Sequence, residues 1–266
     1  MNRKLSSFGI ASILFFVCSA PAFSQTAPTS KDAVVKEEKL PSVDELSEKC
    51  AKGSGGKEAW SKLKTIVMSG TIEIPTFSLT GKIEIFAKRP NKALQITSVM
   101  DGQFVQKQAF DGQNGWKSDP RSGVTVLKGS QLEQAKVEAI FDAGVRLKEI
   151  YPDMKVTGRA TVGDRDAYTV LAHEPEKTVT MYFDAQTGLR IAEDSVGPDE
   201  TGNTVKTNVF MEDYRSAGGI QVPYRIRVIA PNVSVTIKIE DVQFNAAVDD
   251  AKFAIPAANP PAAPQQ

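Results

Sequence analysis

Apolar and polar residues alternate along most of this chain from Thr65 onward, and short glycine, asparagine or proline turns separate the alternating segments. The segment 233–240, which reads V-S-V-T-I-K-I-E, shows the pattern most clearly. Alternation with a period of two is typical of a β-strand that has one apolar and one polar face. Because the connections are short, successive strands are expected to be antiparallel neighbours. The pattern predicts about ten such strands.

Two parts of the chain carry a helical pattern instead. Near the start, Ser42 and Glu45 have the spacing of a capping box, in which each side chain accepts a hydrogen bond from the backbone N–H of the other residue. This spacing predicts a helix that ends at Gly53, followed by a short second helix over 57–63. The apolar residues of the first helix share one face, and they are Val43, Leu46 and Cys50.

The second helical region lies in the middle of the chain. Ser130 and Glu133 form another capping box, which predicts a helix that runs to about Ile150, with 142–144 as the place where it would break. Its wide apolar stripe needs a large covering surface, and the apolar face of the sheet is the best candidate. The predicted fold class is therefore α+β, mainly β: a strongly curved antiparallel sheet, or unclosed β-barrel, with helices covering its concave face. The stripe comprises Leu132, Val137, Ile140, Phe141, Val145 and Leu147.

Two loops, at 110–116 and 183–189, share the pattern Phe-Asp-x-Gln-x-Gly followed by an apolar residue. An aspartate side chain can accept hydrogen bonds from the backbone ahead of it, and a glycine can adopt positive φ. Both loops are therefore predicted to be hairpin tips that fix the register of their strands. Chance reuse of a good turn explains the pair better than an internal duplication, because little similarity surrounds the loops.

The first 24 residues have the three parts of a secretory signal peptide: a basic start, an apolar run over 8–17 and a small-residue cleavage site. Cleavage is expected near Ser24, with the bond after Ala22 as the second choice. Lipidation at Cys18 is disfavoured, since bulky residues precede it. The mature chain is therefore expected to be periplasmic or secreted, with no permanent membrane span.

Composition divides the rest of the chain into three parts. Residues 25–41 contain few apolar side chains and are predicted to be a flexible tether. Residues 42–256 carry the patterned segments and are expected to form one domain. Residues 257–266 are mostly proline, alanine and glutamine, which predicts a disordered tail.

Charge and reactive residues exclude several classes of function. Cleavage at Ser24 removes two of the 32 basic residues and no acidic one, and 30 against 32 gives no electrostatic basis for a nucleic-acid partner. His173 is the only histidine, so neither a histidine triad nor a multi-histidine metal site can form. Cys50 lies on an apolar helix face, where the role of a buried small residue is favoured over that of a redox thiol. No enzyme activity, cofactor or metal is predicted.

A curved sheet with one apolar face needs either a filled core or an apolar ligand to cover that face. Methionines suit a ligand site because their side chains are unbranched and polarizable. Ordinary core packing remains the alternative for each residue on that face. The predicted cavity lining comprises Met68, Ile72, Ile83, Ile85, Phe104, Trp116, Val137, Phe141, Met181, Met211, Ile226 and Ile237.

Several turns and strand ends resemble those of a known group of proteins. The segment 111–116 (D-G-Q-N-G-W) and the hairpin at 183–190 (F-D-A-Q-T-G-L-R) are similar to motifs of the lipoprotein-carrier superfamily, the LolA/LolB-like proteins of the periplasm. The resemblance covers roughly 43–256 and implies an unclosed barrel with a helical lid and an apolar cavity that accepts acyl chains. Further motifs that resemble uncharacterised secreted domains lie at 55–60, 89–92, 213–215 and 249–253.

Pattern and resemblance together support two hypotheses of different kinds. The first is a periplasmic, non-enzymatic binding or carrier domain for a hydrophobic ligand, either a lipid or a lipoprotein acyl chain. The second is a structural or protein-interaction module of the cell envelope, with a filled core and no ligand. A lipid or an envelope protein is the expected partner.

Overall fold

The computed structural model describes residues 39–198 and 202–256. The predicted signal peptide (1–24), the predicted tether (25–41) apart from its last three residues, and the predicted tail (257–266) lie outside the described residues. Within the described ranges, no helix is both long enough and apolar enough to cross a membrane.

The described residues form four α-helices and thirteen β-strands, and all the strands pair into one antiparallel sheet. The helices are α1 (Val43–Gly53), α2 (Lys57–Ser61), α3 (Gly129–Glu138) and α4 (Leu147–Ile150). The strands are β1 (Thr65–Ile74), β2 (Leu79–Lys88), β3 (Lys92–Val99), β4 (Phe104–Phe110), β5 (Gly115–Asp119), β6 (Gly123–Val126), β7 (Lys155–Val162), β8 (Arg165–Glu174), β9 (Lys177–Asp184), β10 (Arg190–Pro198), β11 (Thr204–Ala217), β12 (Ile220–Ala230) and β13 (Val233–Phe244).

Two meanders build the sheet and meet at its centre. Strands β1 to β6 follow one another outward to one edge, whereas β7 to β13 run from the opposite edge inward, and β13 pairs with β1. The connection from β6 to β7 must therefore cross the width of the sheet. This connection carries α3 and α4, so these helices lie across one face, where α3 packs on β4 and β5.

The mainly β, antiparallel and unclosed architecture is confirmed, but the predicted number of about ten strands is too low. Strand β6 shows why the alternation misses some strands. Its four residues are all exposed, and it pairs only with β5 at the edge of the sheet. Val124 and Val126 alternate with other residues, but neither is buried, and a four-residue segment is too short for its alternation to be distinguished from a loop.

The prediction of a helix over 130–150 is wrong for a continuous helix, since the helix ends at Glu138, before the break that was expected at 142–144. The chain forms α3, a 3-10 turn over Ala143–Val145 and the single-turn helix α4. The predicted capping box is also absent, since Lys128 is the N-cap residue and no side chain caps the helix. The Asp142 carboxylate accepts a hydrogen bond from Arg89 Nη1, just after β2, at 2.9 Å. This ion pair ties the segment after α3 to the sheet.

Local turn and cap predictions are confirmed. Ser42 Oγ accepts from the backbone N–H of Glu45 at 3.2 Å, and Glu45 Oε2 accepts from that of Ser42 at 2.7 Å. In the twin loops, Asp111 Oδ1 accepts from the N–H groups two and three residues ahead, at 2.8 and 2.7 Å. Asp184 Oδ1 makes the same pair of bonds, at 3.1 and 2.6 Å.

The outer face of β1–β5 has a core of its own under the C-terminal segment 245–256. Trp116 is 1% exposed, and its indole N–H donates to the carbonyl of Phe253 at 2.8 Å. Val67 packs against this core, whereas its neighbour Met68 lies on the helix side, because successive strand residues point to opposite faces. Both faces of this half of the sheet are therefore covered. The buried residues of the outer core are Phe86, Leu94, Ala109, Trp116, Val248 and Phe253.

Candidate functional site

A cavity of about 510 Å³ lies between the helices and the inner face of the sheet. Its walls come from all four helices, the 3-10 turn before α4, and strands β1 and β8–β13. This volume falls within the range of roughly 300–1,000 Å³ that is typical of small-molecule sites. The cavity is therefore the candidate functional site.

One end of the cavity is apolar and lies under β1 and β11–β13, near the centre of the sheet. Met68, Met211 and Ile226 line it and are only half-buried, although they occupy the inner face. Their exposed surface borders the cavity, so a ligand could cover it. The other apolar side chains at this end include Trp60, Ile66, Val209, Ile239 and Phe244.

The opposite end of the cavity is polar and lies under α3 and β8–β10. In the order of the sheet, β10 and β1 are four strands apart, which corresponds to roughly 19 Å along the sheet. The two ends of the cavity therefore offer different chemistry to the two ends of a long ligand. The polar end is lined by Gln134, Glu138, Tyr151, Glu174, Lys177, Arg190 and Glu193.

The second twin loop holds α1 over the cavity by close backbone contact. A Cβ atom added to Gly53 would lie 2.2 Å from the carbonyl oxygen of Thr187, and one added to Gly188 would lie 2.7 Å from that of Lys49. Gly188 also has φ of +75°, which a side chain would strain. The Lys49 ammonium donates to the carbonyl of Ala185 in the same loop. Glycines at this contact let α1 approach the second twin loop closely enough to cover the cavity.

A chain of hydrogen bonds joins α3 to β8 at the polar end. The Gln134 amide nitrogen donates to Glu138 Oε1 at 2.6 Å and to Glu174 Oε2 at 2.9 Å. The Tyr151 hydroxyl donates to Glu174 Oε1 at 2.7 Å. The amide oxygen of Gln134 is buried and has no hydrogen-bond partner among the described residues.

Beside this chain, β10 contributes an ion pair. Arg190 Nη1 donates to Glu193 Oε2 at 3.1 Å, within the same strand. The Tyr214 hydroxyl donates to the Arg190 backbone carbonyl at 2.6 Å and ties β10 to β11. Burial raises the pKa of Glu193, and the Arg190 guanidinium opposes that effect.

The Glu138 carboxyl is the most strongly perturbed acid at the polar end. Burial raises its pKa well above the ordinary value, and the nearby carboxylates of Glu174 and Glu193 add to the shift. The hydrogen bond from Gln134 and the charge of Lys177 act in the opposite direction. Burial among other carboxyl groups therefore makes ionisation of Glu138 less favourable than ionisation of an ordinary glutamate.

Cys50 has the properties of a packed residue rather than a reactive one. Burial raises the pKa of its thiol to about 11, so the thiolate is scarce at neutral pH. Its Sγ atom donates to the carbonyl of Gly144 at 3.5 Å, across the cavity roof. Burial likewise raises the pKa of Tyr214 to about 12. These groups shape the cavity wall without offering a nucleophile.

Replacement of Glu138 by glutamine is expected to stabilise the protein at neutral pH. In the wild type the raised pKa makes the folded state hold a proton that the unfolded chain releases above about pH 4.3, so stability falls as pH rises toward the folded pKa. This fall amounts to at most about 1.4 kcal/mol per pH unit, and glutamine abolishes it. Urea unfolding at pH 4.5, 5.5, 6.5 and 7.5 measures the difference.

Glu133→Gln, an exposed position on the same helix, is the matched control and should leave the pH dependence unchanged. If the unfolding free energies of the wild type and Glu138→Gln changed with pH in the same way, a raised pKa at Glu138 would be contradicted.

Four of the twelve predicted lining residues, Met68, Val137, Met211 and Ile226, lie on the cavity wall. The other eight lie in packed clusters. Ile72, Ile83, Ile237, Ile85 and Phe104 belong to a cluster of the central strands, Phe141 packs with Trp60, Met181 lies beneath α1 and α4, and Trp116 belongs to the outer core. The sequence pattern identifies the apolar positions but not which of them border empty space.

The polar end of the cavity was not predicted from the sequence, although a signal for it exists. Glu174 continues the inward positions of Val170 and Ala172 along β8, and Lys177 precedes the inward positions of Val179 and Met181 along β9. Charged residues in phase with a buried apolar face are uncommon. This departure from the pattern marks the polar end.

Within the part of the chain that the structure describes, no group of three or more histidine, cysteine, aspartate or glutamate residues is arranged to hold a metal ion. His173 lies exposed at the end of β8, beside Asp153.

Comparisons with known proteins concern the fold. No protein-family profile and no curated protein sequence matches the chain. A DUF1329 family protein from Desulfovibrio piger aligns over 80% of this chain and 97% of its own, with a TM-score of 0.56 and 14% identity. A LolA superfamily protein from Nitrosomonas europaea aligns over 81% and 98%, with a TM-score of 0.55 and 12% identity.

A third solved structure, a putative outer membrane lipoprotein-sorting protein domain from Vibrio parahaemolyticus, aligns over 79% of this chain and 94% of its own, with a TM-score of 0.53 and 8% identity. At such identities the likeness shows the fold. The chain has the LolA-like fold that its turn motifs predict.

Proposed function

We propose that this protein is a non-enzymatic carrier or binding domain that holds a lipid or a lipoprotein acyl chain in the cavity beneath its helices. The observation that carries the proposal is the 510 Å³ cavity, whose central end is lined by apolar side chains. A periplasmic or other envelope location accords with the predicted signal peptide and with the lipoprotein-sorting domain among the structures of similar fold.

Energetics support an apolar ligand at the central end. Met68, Met211 and Ile226 keep part of their apolar surface uncovered. Covering such surface gains about 25 cal/mol for each Å² removed from water. Methionine side chains are flexible and adapt to different chain shapes, which suits a carrier of acyl chains.

A substitution that fills the apolar end tests the proposal. Met211→Trp is expected to weaken the binding of a fluorescent fatty-acid probe by about tenfold or more, because the bulkier side chain occupies part of the ligand volume. A tenfold loss of affinity corresponds to about 1.4 kcal/mol of binding free energy. Phe210→Trp is the control, because Phe210 directly precedes Met211 in β11, lies outside the cavity lining and stacks on Arg227. Native mass spectrometry of the purified mature protein reports any lipid that copurifies.

Absence of both copurified lipid and probe binding would reject the carrier function and favour the alternative, an envelope interaction module without a ligand. Equal probe affinity in Met211→Trp and the wild type would place the ligand outside this cavity.

A further inference from the structure

The cavity borders only one part of the inner face of the sheet. Among the described residues, its strand residues come from β1 and β8–β13, and none comes from β2–β6. Beyond the apolar end, the inner face is filled by side chains that pack on one another. Ile72, Ile83 and Ile237 belong to this packed region, and each is at most 3% exposed. The space for a ligand therefore ends where this cluster begins.

The helix α1 covers the cavity and is held close to the sheet. The backbone of Gly53 lies against that of Thr187, and the carbonyl of Ser54 accepts a hydrogen bond from the backbone N–H of Gln221 at 3.2 Å. Leu46, on the inward face of the helix, is 2% exposed and packs in the cluster beneath it. Movement of α1 to admit a larger ligand would break these contacts. The volume of about 510 Å³ is therefore the volume that a ligand can occupy.

This volume matches one alkyl chain. A methylene group is about the size of a water molecule, which occupies about 30 Å³ in the liquid, so the cavity accommodates roughly 17 non-hydrogen atoms. A saturated fatty acid of about 16 carbons contains about this number of atoms. Two such chains would need twice the volume.

The length of the cavity leads to the same size. The apolar end under β1 and the polar end under β10 are roughly 19 Å apart along the sheet. An extended polypeptide backbone advances about 3.5 Å for every three bonds, and an alkyl chain has a similar zigzag, so roughly 16 bonds span this distance. Since one extended chain of that length already accounts for the volume, no width remains for a second chain beside it.

We propose that the cavity takes a lipid through a single alkyl chain of about 14–16 carbons, which extends from Met68 and Met211 at the apolar end to the polar end. A lipid with two or three chains would leave the others outside. The polar end carries both cationic and anionic side chains, so the charge of the head group is not part of the proposal. Because it specifies the ligand of the same cavity, this proposal rests on the proposed function.

A series of saturated fatty acids tests the length of the chain. Fatty acids of 10, 12, 14, 16, 18 and 20 carbons, each below its micellar concentration, compete with a fluorescent fatty-acid probe on the mature protein. The affinity is expected to rise about fourfold for each added methylene and to stop rising at about 16 carbons, where the cavity is full. A rise that continues beyond 18 carbons, or one that stops below 12, would overturn the assigned length and leave the lipid-binding function standing.

An isomer tests the number of chains. 2-Hexyldecanoate has the same composition and the same carboxylate as hexadecanoate, but its carbons are divided between two shorter chains. Hexadecanoate is expected to bind at least about tenfold more tightly, because only one of the two shorter chains fits into the cavity. Equal affinities of the two isomers would overturn the single-chain proposal without affecting the proposed function. Failure of every fatty acid to bind would overturn both.

A substitution beside the apolar end tests where the chain ends. Ile237 is the cross-strand partner of Ile226 and lies two positions from Ile239, and both of these residues line the cavity. Ile237→Ala is expected to move the limit up by about two to three carbons, since truncation of a buried isoleucine leaves a void. Val99→Ala is the matched control, because Val99 belongs to the same packed cluster but lies on β3, outside the lining. Binding of hexadecanoate shows that each variant is folded, and an unchanged limit in a folded Ile237→Ala would overturn this position of the chain end.

Discussion

Replacement of Met181 by alanine is expected to lower the free energy of unfolding by about 2–5 kcal/mol, the usual cost of truncating a fully buried methionine. Met181 is 0% exposed and packs in the cluster of Leu46, Tyr151 and Phe183, which joins α1 to β9 and the segment after α4. The cavity left by the truncation lies among side chains that are held by the helices above them. Chemical denaturation of the mature protein measures the loss.

Met211→Ala provides the matched comparison, because Met211 is a methionine of the same sheet that borders the cavity. It is expected to cost under about 1 kcal/mol, since a side chain beside a void has fewer contacts to lose. The affinity for a fatty-acid probe should change in Met211→Ala and stay the same in Met181→Ala. Equal losses of stability in the two variants would mean that Met211 is packed as in a filled core.

Replacement of Phe253 by alanine is expected to cost about 3–5 kcal/mol, as other buried phenylalanine truncations do. Phe253 is 0% exposed and packs with Trp116 and Val248 on the outer face of the sheet. Its carbonyl accepts the indole hydrogen bond of Trp116, so the segment 245–256 is held by both contacts. Loss of the ring should loosen this covering segment and expose the outer core.

Ile255→Ala is the control for the same segment, because Ile255 is 38% exposed. It is expected to change stability by no more than about 0.5 kcal/mol. Urea unfolding followed by tryptophan fluorescence reports both variants through Trp116 and Trp60. A small effect of Phe253→Ala would mean that the C-terminal segment contributes little to the fold.

Much of the fold could be predicted because its signals are local. The capping box of Ser42 and Glu45 and the aspartate turns of the twin loops each depend on a few adjacent residues, and all of them form as expected. The alternation of β13 depends only on the period of the strand. Local signals did not exclude a long helix over 130–150, whereas in the structure Asp142 of this segment pairs with the distant Arg89.

The candidate site was predicted less well than the fold. Met68 and Met211 border the cavity whereas Ile83 and Met181 do not, although all four are apolar residues of the sheet. The difference depends on how far the helices stand from each strand, which no single segment encodes. The polar end was not predicted because it also needs Gln134 and Glu138 of α3, which α4 and β7 separate from β8–β10 in the sequence.

By itself, the sequence determined the strands with a buried face, the turns that join them and the first helix, since the strand period, turn chemistry and capping act over neighbouring residues. Only the tertiary structure decided where the cavity lies and which charged side chains line it. The contact of Gly53 with Thr187 sets the distance between α1 and the second twin loop, and the ion pair of Arg89 with Asp142 links the central segment to the sheet. Cavity volume and the pKa of Glu138 both depend on these long-range distances, because packing and burial are properties of the assembled chain.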